Sequence, residues 1–332
     1  MSTPLLTVIM PAHNAAAYLA EAMRSVLGQS FRDLVLLVVD DASTDGTGDV
    51  ARSISGPRVE ILRNDTPLNA AGARNLALSR AQSEFIAFLD ADDVALPDRF
   101  AKQLNILRQK PRAAVVASPV ILINENGAVH GENFPARPAE EIPATLLFQN
   151  CLALSSVMAR RTALVPFRPE LAPAEDYDLW VRLVANAEIA FSPYPLTRYR
   201  MNASGVSARQ PERMREAVAA IHATQLERLG FRETPPIHAL LAAWPLEPTT
   251  QQLAQAEAWL LALRSANESR SIYPPPVFRR VLAARWFHLC LDSWLLGWNV
   301  WHAYHDSNLA APTLPRRARL LRRLLPQRLR RR

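Results

Sequence analysis

Residues 85–98 have the sequence FIAFLDADDVALPD, in which an apolar run ends in three carboxylates. The first five residues are typical of a buried strand, and Asp90, Asp92 and Asp93 follow at once. Like charges this close repel one another, and burying each costs several kcal/mol unless a positive charge neutralises it. The stretch therefore indicates either a solvated turn or a cation site at the end of a strand.

Three further apolar runs precede this one, and a helix-like segment follows each of the four. The runs are LLTVIMPA at residues 5–12, LVLLVVDD at 34–41, VEILRN at 59–64 and FIAFLD at 85–90. Continuous apolar strands that alternate with helices predict an α/β fold with a mostly parallel, Rossmann-like sheet, covered by helices on both faces. Ligands bind at the carboxyl ends of such strands, so Asp40, Asp41, Asp90 and Asp92 are candidates for one site.

The composition is that of an ordinary globular chain, except at its C-terminal end. The chain has 332 residues, of which 49% are hydrophobic and 21% charged. The last 17 residues, RRARLLRRLLPQRLRRR, hold nine of the 38 basic residues and no acid, which leaves 29 basic against 31 acidic elsewhere. The net charge of +7 is therefore a property of this tail. We predict a domain of residues 1–208, a helical region of 209–315 and an Arg-rich tail of 316–332.

The sequence predicts a cytoplasmic protein. The N-terminal segment MSTPLLTVIMPAHN has no basic stretch before its apolar run, so we expect no secretory signal. No segment approaches the roughly 18 apolar residues of a membrane span. Cys151 and Cys290 lie far apart and match no metal-binding spacing, which favours a reducing compartment.

The acidic stretch DDASTDGTGDVAR at residues 40–52 does not fit two common metal-binding patterns. A calcium loop counted from Asp41 would need a bidentate Glu at its twelfth position, where the chain has Arg52. A phosphotransferase of the haloacid-dehalogenase type would need a lysine after a strand, and neither Lys102 nor Lys110 is so placed. Helix and turn capping explains one carboxylate of each strand-end pair but not both.

Asp90 and Asp92 are the favoured metal ligands of the chain. Alternate residues that leave a strand into a loop can both point at one place, and their hard oxygens suit Mg²⁺ or Mn²⁺. The remaining ligands would be waters and phosphate oxygens, so a nucleoside diphosphate is the natural partner. Neither GxGxxG nor GxxxxGK[ST] occurs near these strands, which argues against a dinucleotide-binding or P-loop protein.

Five motifs resemble those of one enzyme family. They are PAHN at residues 11–14, VVDDASTDGT at 38–47, GARN at 72–75, LDADD at 89–93 and EDYDLWVRL at 175–183. In this order and spacing they resemble the inverting nucleotide-sugar glycosyltransferases of family two, which have the GT-A fold, over roughly residues 5–207. The resemblance implies a metal-dependent transfer of a sugar to a glycan or lipid-linked acceptor in cell-surface polysaccharide synthesis. The expected donor is a nucleotide diphosphate sugar, and a UDP-sugar is favoured.

The resemblance also implies roles for individual residues. Asp92 would bind the metal directly, and Asp90 would contact ribose or a water on the metal. The nucleotide-sugar site would be formed by Pro11, Ala12, His13, Asn14, Asp41, Arg74, Asn75, Asp90 and Arg200. His13 either stacks on uracil or is an ordinary loop histidine, and Arg74 is either part of the nucleotide pocket or an exposed helix arginine.

The resemblance places the acceptor chemistry in EDYDLWVRL. Asp176 would be the general base, with Glu175 and Trp180 at the acceptor site, whereas Asp178 suits the first turn of a helix. One base without a nucleophile implies inversion at the anomeric carbon. The segment RYRMNASGVS at residues 198–207 departs from the family pattern, because Asn202 occupies the position of a histidine that helps to bind metal or diphosphate. Either the metal is then held more weakly, or Tyr199, Arg200 and Ser204 carry the contacts of this segment alone.

Two other functions remain open at this point. A nucleotidyltransferase of related architecture would normally need a basic, Gly-rich loop after the first strand, and PAHNAAAYL is not one. A non-catalytic nucleotide-sugar binding module would be expected to lose its carboxylates, all of which are present. The QxxRW motif is absent, which argues against a processive polysaccharide synthase.

The C-terminal end suggests peripheral contact with the inner face of the cell membrane. Leu320, Leu321, Leu324 and Leu325 recur at helical spacing in the tail, with Arg319, Arg322 and Arg323 between them. The preceding segment WFHLCLDSWLLGWNVW would place Trp294, Trp298 and Trp301 on one face of a helix. Tryptophan and arginine suit an anionic membrane interface. The alternatives are a packed core helix for the tryptophans, and a disordered extension or nucleic-acid contact for the tail.

Overall fold

The computed structural model describes residues 3–202, 209–243, 245, 247–310 and 314–324. The chain forms two compact units. The first unit comprises Met1–Ile142 and Asn150–Val218, and the second comprises Pro143–Gln149 and Ala219–Arg332. The predicted domain limits after residues 208 and 315 stay predictions.

The first unit is built on two sheets. Its strands are β1 (Leu6–Ala12), β2 (Leu34–Asp41), β3 (Val59–Asn64), β4 (Phe85–Phe88), β5 (Val94–Ala95), β6 (Ala113–Ala117), β7 (Val120–Ile123), β8 (Val129–Asn133), β9 (Met158–Arg160), β10 (Glu188–Phe191) and β11 (Thr197–Arg200). The larger sheet has the order β10-β6-β9-β4-β1-β2-β3, and the smaller sheet has the order β5-β11-β7-β8. In the larger sheet only β9 runs antiparallel to its neighbours.

Several helices begin in the described part of the first unit. They are α1 (Ala16–Leu27), α2 (Thr47–Ser53), α3 (Asn69–Arg80), α4 (Arg99–Gln109), α6 (Glu175–Leu183) and α7 (Pro211–Arg228), while the short α5 (Ile142–Thr145) straddles the junction with the second unit. The sheet and its flanking helices confirm the predicted α/β class. Four strands of this sheet and the helices α1 and α4 contribute most of the buried apolar side chains of the core.

The register of the larger sheet brings the predicted site residues to one edge. β1 pairs in parallel with β2 so that Ala12 lies opposite Asp40, and it pairs with β4 so that Ile9 lies opposite Phe88. The carboxyl ends of the three strands therefore share an edge, as expected for parallel strands. The loops that carry His13 and the strand-end aspartates all leave from this edge.

The second unit is helical. Its helices are α8 (Pro236–Ala242), α9 (Thr250–Arg270), α10 (Pro275–Asp292), α11 (Trp298–Asp306) and α12 (Leu314–Leu324), together with the C-terminal part of α7. Thr249 begins α9 with a capping box, in which its side chain accepts from the Gln252 N–H. The core is a cluster of leucines and aromatic side chains around Trp286, which is completely buried. None of the described helices is both long and apolar enough to cross a membrane.

The prediction that three tryptophans share one helical face is wrong. Trp294 lies in a separate 3-10 turn, Trp294–Leu296, whereas Trp298 and Trp301 lie in α11. Gly297 separates the two elements with a φ of 62° and a ψ of −138°, which a residue with a side chain rarely adopts. The backbone of this glycine is not helical, so helical spacing cannot be carried across it.

Candidate active site

The loops that follow β1 and β2 are tied together at the carboxyl edge of the larger sheet. Asn14 adopts a φ of 50°, which asparagine tolerates better than most residues. Its backbone N–H donates to Ser43 Oγ over 3.0 Å, and its Oδ1 accepts from the Thr44 N–H over 2.9 Å. Pro11 and Ala12 end β1 just before this loop. The second loop therefore holds the predicted nucleotide-binding residues of the first.

His13 is an exposed side chain with a defined orientation. Its Nδ1 lies 2.6 Å from the carbonyl oxygen of Asp41, and its Nε2 lies 3.2 Å from Asn14 Nδ2. A carbonyl only accepts and an amide nitrogen only donates, so these contacts assign the hydrogen to Nδ1. An exposed ring held in one orientation is suited to stacking on a nucleobase.

Asp40 and Asp41 are both buried and hold neighbouring segments of the chain. The Asp41 carboxylate accepts from Asn64 Nδ2 over 2.7 Å and from the Leu68 N–H over 2.9 Å. Asp40 forms an ion pair with Arg63 on the adjacent strand β3. Asp41 is only 3% exposed, so its contacts in this structure are to the protein.

Arg74 of α3 joins two carboxylates that lie far apart in the sequence. Its Nη1 donates to Glu175 Oε1 over 2.7 Å, and its Nη2 donates to Asp90 Oδ1 over 2.7 Å. Its side chain is only 6% exposed, so it is not the exposed helix arginine that the sequence left open. Burial alone would lower the pKa of Arg74, but the charges of Asp90 and Glu175 raise it well above its usual value. Arg74 thus carries a permanent positive charge between the strand-end loop and α6.

The three aspartates after β4 differ in their surroundings. Asp90 is 31% exposed and paired with Arg74. Asp93 is 1% exposed, and its Oδ1 accepts from the backbone N–H of Arg200 over 2.7 Å. Burial, followed by the charge of Asp90, raises the pKa of Asp92 to about 6. No described basic side chain forms an ion pair with Asp92.

The surroundings of Asp92 fit a divalent cation. A partly buried carboxylate without an ion-pair partner beside a second carboxylate has excess negative charge, which a metal would neutralise. Carboxylate oxygens suit Mg²⁺ and Mn²⁺. Within the described part of the chain, no group of three or more His, Cys, Asp or Glu side chains forms a complete metal site. Asp92 and Asp90 would therefore supply only part of the ligand set, and waters or phosphate oxygens would supply the rest.

Arg200 is occupied by the protein rather than open to a nucleotide. Its Nε donates to the Asp92 carbonyl over 2.8 Å, and its Nη2 donates to Glu21 Oε2 over 2.7 Å. Its Nη1 donates to the carbonyl oxygens of Asn124 and Glu125, and the group lies 4.6 Å from the centre of the Tyr18 ring. Arg200 therefore clamps the loop that carries Asp92. Ser204, its predicted companion, lies outside the described residues.

The aspartates of the site affect the ionisation of Tyr199. Burial first, and then the charges of Asp93, Asp90, Asp176 and Asp92, raise its pKa well above the usual value. Arg74 pairs over 2.7 Å with Asp90 and over 2.7 Å with Glu175, the neighbour of Asp176. The structure thus brings the predicted metal ligands and the predicted base into one acidic site.

Asp176 has the properties of a general base. It lies at the start of α6, and its Oδ2 accepts from Asn150 Nδ2 over 2.9 Å. Burial, followed by the charge of Glu175, raises its pKa to about 7, although Arg74 acts in the opposite direction. A carboxyl group with a pKa near neutrality can take a proton and release it again at physiological pH.

The other acidic residues of EDYDLWVRL have structural partners. Glu175 is 5% exposed and bound by Arg74, and Asp178 forms ion pairs with Arg168 over 3.3 Å and with Arg182 over 2.7 Å. Asp176 has no such arginine within ion-pair distance among the described residues. Trp180 is completely buried, so its side chain offers no surface to an acceptor in this structure.

Asn75 is also engaged by the protein. Its Nδ2 donates to the carbonyl oxygen of Phe167 over 2.8 Å, and its Oδ1 accepts from the Phe167 N–H over 2.8 Å. The Arg74 guanidinium lies 5.7 Å from the centre of the Phe167 ring. Asn75 therefore positions the Phe167 ring beside Arg74. Both polar atoms of its amide already have hydrogen-bond partners within the protein.

Several residues of the site could not be found from sequence motifs. Asn150 lies outside every motif and reaches Asp176 only through the fold. Glu21 of α1 and Ser155, whose Oγ accepts from the Asp90 N–H over 3.0 Å, are similar cases. No local pattern marks these three residues, because each acts through a partner distant in the sequence.

Comparison with known proteins identifies one family. The family model described as glycosyl transferase family 2 matches residues 7–164. The UDP-Glc:alpha-D-GlcNAc-diphosphoundecaprenol beta-1,3-glucosyltransferase WfgD of Escherichia coli is 32% identical over 211 residues, which span 63% of this chain and 81% of that protein. The putative teichuronic acid biosynthesis glycosyltransferase TuaG of Bacillus subtilis is 26% identical over 245 residues, 73% of this chain and 92% of that protein.

Solved structures share the fold over nearly the whole chain. Residues 1–349 of S. aureus TarS match with a TM-score of 0.54 and 19% identity, covering 96% of this chain and 88% of that one. The mannosyltransferase PcManGT of Pyrobaculum calidifontis, in complex with GDP-Man and Mn²⁺, matches with a TM-score of 0.51 and 19% identity over 97% of this chain and 79% of that one. The likeness shows the GT-A fold.

Proposed function

This chain belongs to glycosyl transferase family 2, and we propose that it transfers a sugar from a nucleoside diphosphate sugar to a hydroxyl group of a glycan or lipid-linked acceptor, with inversion. The observation that carries the proposal is the Arg74 guanidinium, which pairs with Asp90 and with Glu175 and so brings Asp176, the neighbour of Glu175, towards the carboxylates after β4. Such a site offers a base beside carboxylates that can hold a metal.

The donor that we propose is a UDP-sugar. S. aureus TarS has been solved with UDP and with UDP-GlcNAc, and WfgD is named as a UDP-Glc-dependent enzyme. In this chain His13 would stack on the base, while Pro11, Ala12 and Asn14 would line the pocket through the loop after β1. Asp41 would shape the pocket from beneath, by holding the connection between β3 and α3.

Asp92 and Asp90 would hold Mn²⁺ or Mg²⁺. When bound, the metal would neutralise the charge that grows on the departing diphosphate. Arg200 keeps the Asp92 backbone in place, and Arg74 keeps Asp90 in place. These two arginines would thus act by positioning the carboxylates, and Asn75 would act one step further away, through Phe167.

Asp176 would take the proton from the acceptor hydroxyl. The oxygen would attack the anomeric carbon on the face opposite the leaving diphosphate, forming the new glycosidic bond as the bond to the diphosphate breaks. Glu175 forms an ion pair with Arg74, and Asp178 forms ion pairs with two other arginines, which hold both groups in the charged form. Asp176 has no such ion pair among the described residues, so it is the carboxylate of this segment that would accept the proton. One displacement without a covalent intermediate inverts the configuration.

The acceptor that we propose is lipid-linked, in cell-surface polysaccharide synthesis. WfgD and a second E. coli relative, WfaP, are named as acting on alpha-D-GlcNAc-diphosphoundecaprenol, and TuaG is named for teichuronic acid biosynthesis. The enzyme would act at the membrane face where both the lipid-linked acceptor and the nucleotide sugar are present.

A transfer assay tests the proposal. The full chain would be incubated with Mn²⁺, a panel of nucleotide sugars and a polyprenyl-diphosphate sugar, and the product's anomeric configuration determined by NMR. We expect inversion, and we expect Asp176→Asn to bind the donor normally but to transfer about two to four orders of magnitude more slowly. Asp178→Asn is the matched control, and its turnover per folded molecule should change little. Retention of configuration, or an equal loss in the control, would contradict the proposed mechanism.

A further inference from the structure

The helix α12 has a basic face and an apolar face, and only the basic one is exposed. Leu320 is completely buried and Leu324 is partly buried in the core of the second unit. Arg322 and Arg319 lie away from the buried leucines and are exposed, and Arg323 is exposed at the edge of the packed side. Leu320 and Leu324 are thus used for packing inside the protein rather than for contact with lipid.

Two arginine–aromatic contacts hold this helix to the second unit. The Arg323 guanidinium lies 5.1 Å from the centre of the Trp294 ring, and that of Arg316 lies 5.5 Å from the centre of the Phe287 ring. Together with the burial of Leu320, these contacts fix which side of the helix faces outward. The exposed arginines are therefore presented on a packed element.

The corner of the chain next to this helix exposes two large apolar side chains. Leu295, which follows Trp294, is 54% exposed, and Trp298 at the start of α11 is 61% exposed. The contact between Arg323 and Trp294 connects the arginine face to this corner. Neighbouring exposed apolar side chains beside a charged rim are a common mark of a binding surface.

We propose that Leu295, Trp298 and the exposed arginines of α12 form a docking surface for an anionic lipid bilayer. The arginines would contact lipid phosphates, and the indole and the leucine would enter the boundary between head groups and acyl chains, where tryptophan is favoured. Nucleic acid would use the arginines but would give Leu295 no role. The surface stands on the second unit alone and does not depend on the chemistry proposed for the first.

Vesicle co-sedimentation of the full chain tests this surface. The charge variant Arg319→Gln with Arg322→Gln and the apolar variant Leu295→Ser with Trp298→Ala would be compared with the unmodified protein. A matched control, Arg213→Gln with Arg215→Gln, removes the same two charges from exposed positions on α7, and Tyr194→Ala removes a ring that is 68% exposed elsewhere. Circular dichroism would check that each variant is folded.

We expect salt-sensitive binding to vesicles of phosphatidylcholine with phosphatidylglycerol, and little binding to phosphatidylcholine alone. The charge variant should bind about tenfold or more weakly, because each basic residue near an anionic surface contributes about a factor of five. The apolar variant should bind more weakly even at low salt, while both controls bind like the unmodified protein. Equal weakening by the controls, or binding to an RNA or DNA probe but not to vesicles, would overturn the proposal.

Discussion

Asp176 is the residue whose protonation we expect to control the reaction rate. Its pKa is raised to about 7, so it is largely protonated, and unable to act as a base, in more acidic solution. The value of kcat/KM should therefore rise with pH through about 7 and level off above it, since this parameter reports ionisations of the free enzyme. Initial rates measured across neutral pH at constant metal concentration check this. A profile that is flat across neutrality would argue against Asp176 as the base.

Asn150 should tune that ionisation. Its amide donates to Asp176 Oδ2 over 2.9 Å, which favours the charged carboxylate. Asn150→Ala removes the donor, so we expect the rising limb of kcat/KM to move to higher pH. Asn267 makes a similar pair of hydrogen bonds, with the Tyr273 backbone in the second unit, and Asn267→Ala is the control for a general loss of stability. If the pH dependence of kcat/KM in Asn150→Ala were the same as in the unmodified protein, Asn150 would not tune the ionisation of Asp176.

The loop after β4 is the element on which metal dependence should rest. We expect EDTA to abolish transfer and Mn²⁺ to restore it, and Asp92→Asn to lose nearly all activity, because a metal's charge stabilisation is worth several kcal/mol. Asp98→Asn is the control, since Asp98 comes soon after this loop, just before α4, and is 57% exposed. Full activity in EDTA would contradict the metal assignment.

The Asp92→Asn variant should also differ from the unmodified protein in its stability. The pKa of Asp92 is raised to about 6, so without metal its charged form is less favourable in the folded than in the unfolded protein. Asp92→Asn should therefore not lower the free energy of unfolding of the metal-free protein at neutral pH, and it should remove the added stability that Mn²⁺ provides. Thermal unfolding with and without Mn²⁺ separates a lost metal ligand from a damaged fold.

At the scale of the whole molecule, the second unit contains a buried histidine pair. His238 donates from Nε2 to the Leu147 carbonyl over 3.0 Å and accepts on Nδ1 from the Trp259 indole over 3.0 Å. His222 contacts it edge-on, with 4.7 Å between ring centres. Burial lowers the pKa of His222 to about 4 and, with the neighbouring His222, that of His238 to about 3. Both rings are therefore neutral in the folded unit.

These histidines should make the second unit sensitive to acid. Their folded pKa values lie below the unfolded value of 6.5, so the unfolded chain binds more protons, and stability is lost as pH falls below about 6.5. Hydrogen exchange of peptides from α9 and α10 should show weaker protection as pH falls from 6.5 toward 4, after correction for the intrinsic exchange rate. His238→Gln should be less stable at neutral pH but change less on acidification, whereas exposed His302→Gln should behave like the unmodified protein. Equal slopes in all three would contradict this.

Local sequence pattern was sufficient for the fold class, the family and the edge of the sheet on which the site lies. Apolar runs such as residues 34–41 and 85–89 alternate with helical segments, and this alternation dictates a parallel sheet whose strand ends meet. The motifs also carry the family resemblance, which the family model and the relatives confirm. These features depend on neighbours within a few residues, and that is the range over which a sequence can be interpreted directly.

Only the tertiary structure decided which of the marked residues face a ligand and which face the protein. Arg74 meets partners 16 and 101 positions away, and Arg200 meets Glu21 across 179 positions. Trp180 and Leu320 are buried because other segments pack over them. Burial and pairing at such separations are set by how whole elements pack, a property that no short motif contains. For this reason Asn150 was missed, and in the described part of the tail helix Leu320 is buried whereas Arg319 and Arg322 are exposed.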